Sequence, residues 1–364
     1  MKPRVLFVSK PVVPPWNDGS KNLVRDLVNH VSRVEPMVMT LGDRVDLADH
    51  VQAEGVYVRG GGFAPAILDN ARVMGRLLRG DAGDLWHFVF APNPASSYAA
   101  RAAIAARRLG GFRGKVVQSV ASAPKRFEGV PRLIFGDVVV TLSEATKERL
   151  LAAGVTAPIT VIPPCAIPLP EPSAEAVLAF RQKHGLGDAP VVLYPGDYEV
   201  SSGARTVVSA VPELTRRGFR VVLACRQKTP RAAEVRRALE AEEPRAVHLG
   251  EVPDMATLLA AADVVAFPVD DLYGKVDLPL VLLEALAFGK PVVVAEGTPL
   301  TEIPGAAAVP AKDPEALVAA ISRAYGARSK GDALRELHRT HFMPEVMAAR
   351  YEDLYASLLP PRAL

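Results

Sequence analysis

Residues Gly274 to Val294 read GKVDLPLVLLEALAFGKPVVV, which contains a charged turn, an apolar helical pattern and the start of a strand. The apolar run from Leu280 is interrupted by Glu284 and ends at Gly289, a residue type that commonly follows the last turn of a helix. The valines that follow have the composition of a strand buried on both faces. This stretch therefore predicts a helix leading into a buried strand, which is part of a parallel β-α-β unit.

The same alternation of valine-rich runs and helical patterns covers most of the chain. The predicted strands are 4–9, 84–90, 115–120, 137–143, 189–196, 219–225, 262–268 and 290–296. Such an order indicates parallel sheets wound with helices, and it occurs twice. The prolines of segment 161–177 disfavour helix and central strand, so a linker is expected there. We expect one domain at 1–168, a second at 169–342, and a C-terminal helix within 343–364 that packs back on the first domain.

Composition excludes several classes of protein. With 364 residues, of which 49% are hydrophobic and 23% charged, the chain is too apolar for disorder and long enough for two domains. The net charge of +3 is far weaker than the footprint of a nucleic-acid binder. No transmembrane helix is expected, and the apolar run at the N-terminus is too short for a signal peptide. Cys165 and Cys225 suggest neither a disulfide framework nor a zinc site, so the cytoplasm is the simplest compartment.

The helix predicted to start near Leu280 is a candidate anion site. Its first backbone N–H groups have no partners within the helix, and the positive end of the helix dipole stabilises a phosphate. Glu284 lies about one turn further, within reach of ribose hydroxyls. Alternatively, Glu284 faces solvent or binds a neighbouring N–H group. Its apolar neighbours favour a half-buried carboxylate that needs a partner.

Several motifs extend this hypothesis through a family resemblance. Two wound domains, a proline linker and a closing helix resemble the GT-B architecture. The segments VVVTLSEATKERLLAAG, ITVIPPCAIP, LEALAFGKPVVVAEGTPLTEIPG and AVPAKDPEALVAAI are similar to family 4 glycosyltransferases, which are retaining enzymes. The resemblance implies an α/β GT-B fold, with two Rossmann-like doubly wound domains facing across a cleft. It also implies a nucleotide diphosphate sugar as donor, retention at the anomeric carbon, no required metal, and Glu284 as the ribose ligand.

The turn before the helix departs from the family pattern. The family places a second glutamate eight positions before the first, where it contacts the transferred sugar, and this chain has Val276 there. Asp277 could take the sugar hydroxyls after a one-residue shift, or it could be a charge that favours the helix start. Lys275 lies on the other side of Val276.

The expected diphosphate loop departs as well. The family's arginine and lysine after the first strand of the second domain correspond to Asp197 and Ser202, while Gly196 and Gly203 remain, as expected for a loop close to a ligand. Positive charge reappears after the next strand in ACRQKTPR. Guanidinium and ammonium groups suit phosphate oxygens, so a rebuilt anion site is predicted, with a solvated basic loop as the alternative. The residues of this predicted site are Arg226, Lys228 and Lys275, with Arg205 as a further candidate.

The first domain offers fewer candidates. Gly19 and Ser20, at the start of a helix, could meet the donor phosphate or the acceptor. His87, placed at the end of its predicted strand, is a candidate catalytic residue, although a lone histidine there is more often structural. A further family histidine is replaced by Ala121, and the neighbouring hydroxyls of Ser119 and Ser122 could substitute for it.

The acceptor stays open as a glycan, a lipid or a small molecule. Segments 64–80 and 98–114 are arginine-bearing helical patterns that could lie on an anionic membrane, which would place the protein at its inner face, although packing against a sheet is favoured. The departures also support an alternative function, a non-catalytic GT-B homologue that binds a sugar, nucleotide or partner protein. The sequence does not decide the donor base, the donor sugar or the oligomeric state.

Overall fold

The computed structural model describes residues 2–16, 18–42, 46–58, 67–79, 81, 83–227 and 229–359. The chain divides into two compact units. The first consists of Met1–Cys165, Tyr273–Asp277 and Pro344–Leu364, and the second of Ala166–Leu272 and Leu278–Met343. The first boundary lies close to the one expected at 168.

The first unit is built on a seven-stranded parallel sheet with the order β3-β2-β1-β4-β5-β6-β7. Its strands are β1 (Arg4–Val8), β2 (Glu35–Thr40), β3 (Gln52–Gly55), β4 (Leu85–Val89), β5 (Lys115–Val120), β6 (Val138–Thr141) and β7 (Ile159–Val161). Its first helices are α1 (Gly19–His30), α2 (Ile67–Arg79), α3 (Pro94–Leu109) and α4 (Glu144–Ala152).

The second unit is built on a six-stranded parallel sheet with the order β10-β9-β8-β11-β12-β13. Its strands are β8 (Val191–Tyr194), β9 (Arg220–Leu223), β10 (Val247–His248), β11 (Val264–Phe267), β12 (Val292–Ala295) and β13 (Ala307–Val309). Its helices are α5 (Ala174–Lys183), α6 (Gly203–Arg216), α7 (Pro230–Glu242), α8 (Met255–Ala261), α9 (Leu280–Ala287), α10 (Pro314–Gly326) and α11 (Gly331–His341).

Both sheets reverse their strand order once, at a topological switch point. In the first unit this point lies between β1 and β4, and in the second between β8 and β11. Open α/β sheets bind ligands outside the carboxyl ends of the strands at such points. In the second unit this rule predicts a ligand at the loops after β8 and β11, which lead to α6 and α9.

The C-terminal helix α12 (Pro344–Leu358) belongs to the first unit. Tyr351 and Tyr355 are fully buried there, and the Glu352 carboxylate accepts hydrogen bonds from the backbone N–H of Ser32 at 2.6 Å and from that of Arg33. The Arg33 side chain also pairs with Glu352 at 3.0 Å. Aromatic burial and this carboxylate thus fix α12 beside the end of α1.

All eight predicted strands are present, and the described residues contain five further strands that were not predicted: β2, β3, β7, β10 and β13. Three of these five, β7, β10 and β13, have three residues or fewer, too few for a pattern. One assignment needs correction. The turn Tyr273–Asp277 was expected in the second domain, but it groups with the first unit because Val276 and Asp277 pack and bond there.

Candidate functional site

The amino end of α9 lies at the switch point of the second unit, after β11. Pro279 precedes the helix in an extended conformation, with φ −57° and ψ 131°, and no side chain caps the helix start. Proline has no N–H of its own, and its fixed φ sets the direction in which the chain enters the helix. The Leu282 N–H already donates to the Pro279 carbonyl at 2.9 Å, so the helix end to which an anion could bind consists of the N–H groups of Leu280 and Val281.

Glu284 lies on α9 one turn beyond this end and is partly exposed. Its helix neighbours Leu283 and Ala285 are fully buried. The helix therefore presents one carboxylate beside its amino end while the opposite face packs into the core. This placement suits an acceptor of hydrogen bonds from hydroxyl groups of a ligand whose phosphate lies at the helix end.

The loops after β8 and β11 are joined by an acidic residue. Asp270 accepts a hydrogen bond from the backbone N–H of Ser202 at 2.9 Å, and its carboxylate lies 3.5 Å from the Lys312 ammonium. Burial raises the pKa of Asp270, but the hydrogen bonds from Ser202 and the charge of Lys312 outweigh it, and the pKa is lowered. The start of α6 thus already has a carboxylate beside it, which makes it a poorer phosphate site than α9.

Gly196 and Gly203 border the same loop, and the structure gives both a packing role. A Cβ atom at position 196 would lie 2.2 Å from the Tyr194 ring, and one at position 203 would lie 2.8 Å from the Tyr194 hydroxyl. That hydroxyl donates to the carbonyl of Asp197 at 3.0 Å. The glycines are therefore required by a buried tyrosine, whether or not a ligand also approaches them.

The basic residues predicted after β9 are only partly described. Arg226 follows the carboxyl end of β9 and forms a parallel bridge with Asp197, so the loops after β8 and β9 run side by side. Lys228 lies outside the described residues. Arg205, the further candidate on α6, is exposed and pairs with Glu242 at 3.0 Å.

The start of α1, predicted to meet a phosphate through Gly19 and Ser20, is occupied by the chain itself. The Asp18 carboxylate accepts hydrogen bonds from the backbone N–H groups of Ser20 at 3.0 Å and Lys21 at 3.2 Å. Its second oxygen lies 2.7 Å from the Lys10 ammonium. Although burial raises the pKa of Asp18, Lys10 and these hydrogen bonds lower it to about 2. A phosphate would have to displace an ionised, well-bonded cap.

The charged turn before α9 is turned into the core of the first unit. Val276 is 7% exposed, and a Cβ at Gly19 would lie 3.1 Å from its side chain. Asp277 is 1% exposed and accepts a hydrogen bond at 2.6 Å from Ser143, the residue that caps α4. Lys275, in the same turn, is partly buried. These contacts correct the interpretation of Asp277 as a sugar ligand, because its carboxylate is enclosed and serves a hydroxyl of the fold.

His87 also differs from its expected position. It lies in the middle of β4, paired with Phe7 and Val117, rather than at the strand end. It is fully buried, with its ring nitrogens 2.8 Å from the Tyr355 hydroxyl and 2.7 Å from the Ser119 hydroxyl. Burial lowers its pKa to about 3. We therefore do not retain His87 as a catalytic residue, and Ser119 serves the same internal network. Ala121, two residues after Ser119, is also buried.

Two carboxylates that accept hydrogen bonds from backbone N–H groups at helix starts were not predicted from the sequence. Asp18 stands immediately before α1, where an aspartate is a strong N-cap signal that could have been recognised. Asp270 caps the neighbouring loop from 68 residues away, and no local pattern signals such a partner.

Within the described residues, no group of three or more His, Cys, Asp or Glu side chains could hold a metal ion. In the same part of the chain, no helix is long and apolar enough to cross a membrane. Cys165 and Cys225 are both buried and unpaired with each other.

Comparison with known families bears directly on the second unit. Residues 189–326 match the family described as Glycosyl transferases group 1. These residues therefore resemble a glycosyltransferase group 1 domain. The domain spans β8 to α10 and includes α9 with Glu284.

A characterised protein is similar in sequence to part of this chain. The GDP-mannose-dependent alpha-(1-6)-phosphatidylinositol monomannoside mannosyltransferase of Mycolicibacterium smegmatis is 32% identical over 185 residues. The matched region is 46% of this chain and 47% of that protein, so it spans about half the length of the relative.

Solved structures resemble nearly the whole chain. HepE of Anabaena, in complex with UDP-glucose, has a TM-score of 0.76 at 18% identity, over 98% of this chain and 100% of that one. Sucrose-phosphate synthase of Thermosynechococcus elongatus has a TM-score of 0.75 at 20% identity, over 98% and 99% of the two chains. Similarity at these identities establishes the fold, which is GT-B, and the predicted fold class is confirmed.

Proposed function

We propose that this protein is a glycosyltransferase that transfers a sugar from a nucleotide diphosphate sugar to an acceptor, with retention at the anomeric carbon. The observation that supports it most is the uncapped amino end of α9, followed one turn later by Glu284, inside the group 1 domain. In this proposal the N–H groups of Leu280 and Val281 bind the diphosphate, and Glu284 accepts hydrogen bonds from the ribose. Arg226 is proposed as a supplementary cation, while Lys275, which groups with the first unit, stays a prediction from the sequence.

The chemistry asks little of acids and bases in the chain. Departure of a diphosphate is favoured by fixed N–H groups and positive charge, and the departing phosphate itself can take the acceptor proton. We propose that no metal is required. This fits a site whose identified features are a helix end and one carboxylate.

The donor follows from the relatives only as a proposal. The mycolicibacterial relative is named for GDP-mannose, and HepE was solved with UDP-glucose. We propose a hexose carried on a nucleoside diphosphate. Calorimetric titration with GDP and UDP, followed by product detection with GDP-mannose and UDP-glucose, tests it. NMR of the product would report the anomeric configuration. No binding of either nucleotide would overturn the proposal.

The acceptor remains a class: a glycan, a lipid or a small molecule. Among the arginines of the two helical patterns 64–80 and 98–114, Arg76 pairs with Glu54, Arg108 pairs with Asp137 at 3.0 Å, and Arg101 donates to a backbone carbonyl. These contacts favour packing against the sheet. Leu109, 92% exposed at the end of α3, favours a membrane-facing role. Peripheral membrane contact stays a prediction, which vesicle co-sedimentation would test. A cytoplasmic location also stays a prediction.

The alternative is a non-catalytic homologue that binds a sugar, nucleotide or partner protein. It is favoured by Val276 and Asp277, because the positions expected to contact the transferred sugar are packed into the first unit. The two functions separate in one experiment. Nucleotide binding without product from any donor and acceptor pair supports the homologue, and turnover supports the transferase.

A further inference from the structure

A cavity of about 250 Å³ lies in the second unit at the amino ends of strands β11 and β12, which are opposite to the carboxyl ends where the switch-point loops begin. Asp263, just before β11, and Lys290 and Pro291, just before β12, line it together with the residues between α10 and α11. Because β11 and β12 are four residues long, the length of a strand, roughly 13 Å, separates this cavity from the carboxyl ends. It is therefore distinct from the proposed donor site.

Three cations line this cavity, which we call the basic pocket: Lys290, Arg328 and Arg335. They face two carboxylates, Asp263 and Asp332, so the lining carries a net positive charge. The Asp263 carboxylate is held by the backbone N–H of Val191 at 2.8 Å.

The cations are held in place by the fold. Arg328 stacks on the Tyr325 ring, 4.0 Å from its centroid, and donates to the Tyr325 carbonyl at 3.0 Å. Lys290 donates to the Ala260 carbonyl at 3.1 Å. Burial lowers the pKa of the Lys290 ammonium, so a bound anion would favour its charged form. Guanidinium and ammonium groups fixed in this way are preorganised for phosphate oxygens.

Arg335 is half-exposed, and its guanidinium bonds to Asp332 and, at 3.4 Å, to the Phe288 carbonyl. Its partner Asp332 binds it at 2.8 Å, but the Asp332 side chain is 98% exposed, so water screens this pair. The Arg335 guanidinium also lies close to the backbone at Gly289, where a Cβ would be 3.1 Å from its Cζ. The start of α11, at Gly331, has no side-chain cap and lines the same pocket.

We propose that the basic pocket binds a small phosphate-bearing anion, either orthophosphate or a small phosphomonoester, through Lys290, Arg328 and Arg335. Its volume lies below the roughly 300 to 1,000 Å³ of pockets for drug-sized ligands, so a whole nucleotide diphosphate sugar is too large for it. The ligand is thus a second small molecule, and the pocket does not depend on the identity of the donor.

Calorimetric titration of the full chain with orthophosphate and, separately, with glycerol 3-phosphate tests the proposal, with chloride at equal ionic strength as the reference. We expect saturable binding that weakens about tenfold or more in Arg335→Gln and in Lys290→Met, as is typical for loss of a charged hydrogen bond. Asp332→Asn should bind more tightly. Arg339→Gln is the matched control, since Arg339 lies on the same helix, is exposed and pairs with Glu336.

The outcomes separate the sources of the phosphate group. Binding of orthophosphate alone identifies the free ion, and tighter binding of glycerol 3-phosphate identifies an ester, and either supports the site. Circular dichroism confirms that the variants are folded. The proposal is overturned by no saturable binding of either probe, by equal affinity in the three variants and the control, or by loss of binding when saturating GDP and UDP are added.

Discussion

The amino ends of α1 and α9 look alike in sequence but differ in the structure. Each follows a strand beside a switch point, and each was expected to meet a phosphate. At α1, Asp18 accepts the first N–H groups and pairs with Lys10, whereas α9 follows Pro279 and has no side-chain cap. A helix start therefore indicates an anion site only when no side chain of the protein already caps it.

The same contrast holds for the two units around these helices. The first unit satisfies its polar groups internally, through Asp18, His87 and Asp277. The second unit leaves a helix end with Glu284 beside it. Substitutions in the first unit should therefore change stability, and those in the second should change ligand binding.

Val276→Glu should have the largest effect of the substitutions proposed here, a loss of stability in the first unit. A buried charge without a partner costs about 3 kcal/mol or more of unfolding free energy, because Val276 packs against Gly19. Urea unfolding measures the loss, and Leu109→Glu, at a position 92% exposed, is the control. A stable Val276→Glu variant with improved donor binding would instead restore the family's sugar ligand.

Glu284→Gln tests whether the second unit binds a nucleotide beside α9. Loss of charged hydrogen bonds to a ribose should weaken nucleotide binding by roughly 100-fold with little change in stability. Calorimetry with GDP and UDP measures the affinity. Glu315→Gln, exposed in the first turn of α10, should behave as the parent protein. Equal affinity in both variants would remove Glu284 from the site.

His87 predicts how the stability of the first unit depends on pH. Its pKa is about 3 when folded and about 6.5 when unfolded, so the unfolded state binds more protons between these values. Stability should therefore fall as pH drops below 6.5, by about 2 kcal/mol at pH 5. Unfolding at several pH values should give a flatter profile for His87→Gln. The exposed His341→Gln control should keep the parent slope, and a shared slope would contradict the assignment.

Asp18→Ala gives the smallest expected effect and tests the cap itself. Removing an N-cap should cost about 1 to 2 kcal/mol at neutral pH. Because the folded pKa of Asp18 is lowered to about 2, its contribution is present above pH 4 and is lost as pH falls toward 2. The vacated helix end should also bind sulfate. At equal ionic strength, replacing chloride by sulfate should raise the unfolding free energy of the variant more than that of the parent protein. An equal increase in both proteins would contradict anion binding at the start of α1.

The alternation of apolar strands and helices was enough to predict both wound units. Strand β2 was not predicted, because its sequence EPMVMT contains Pro36 and two methionines in place of the β-branched residues that are typical of strands. The position of His87 was also misjudged. Strands covered on both faces have no polar alternation, so the sequence does not distinguish the middle of β4 from its end.

The candidate site was predictable where its signals were local. Glu284 and the proline before α9 lie in one short stretch. Asp277 could not be assigned in this way, because its partner Ser143 is 134 residues away. Whether a carboxylate meets a ligand or a hydroxyl of the fold depends on such distant partners.

The buried ring of Tyr194 has a practical consequence for engineering. It presses on positions 196 and 203, so any side chain there would displace the loop or the start of α6. Libraries that vary this loop should therefore hold positions 194, 196 and 203 constant. Of the residues between them, Asp197 and Tyr198 are buried as well, so the variable segment with a fixed frame at each end is 199 to 202.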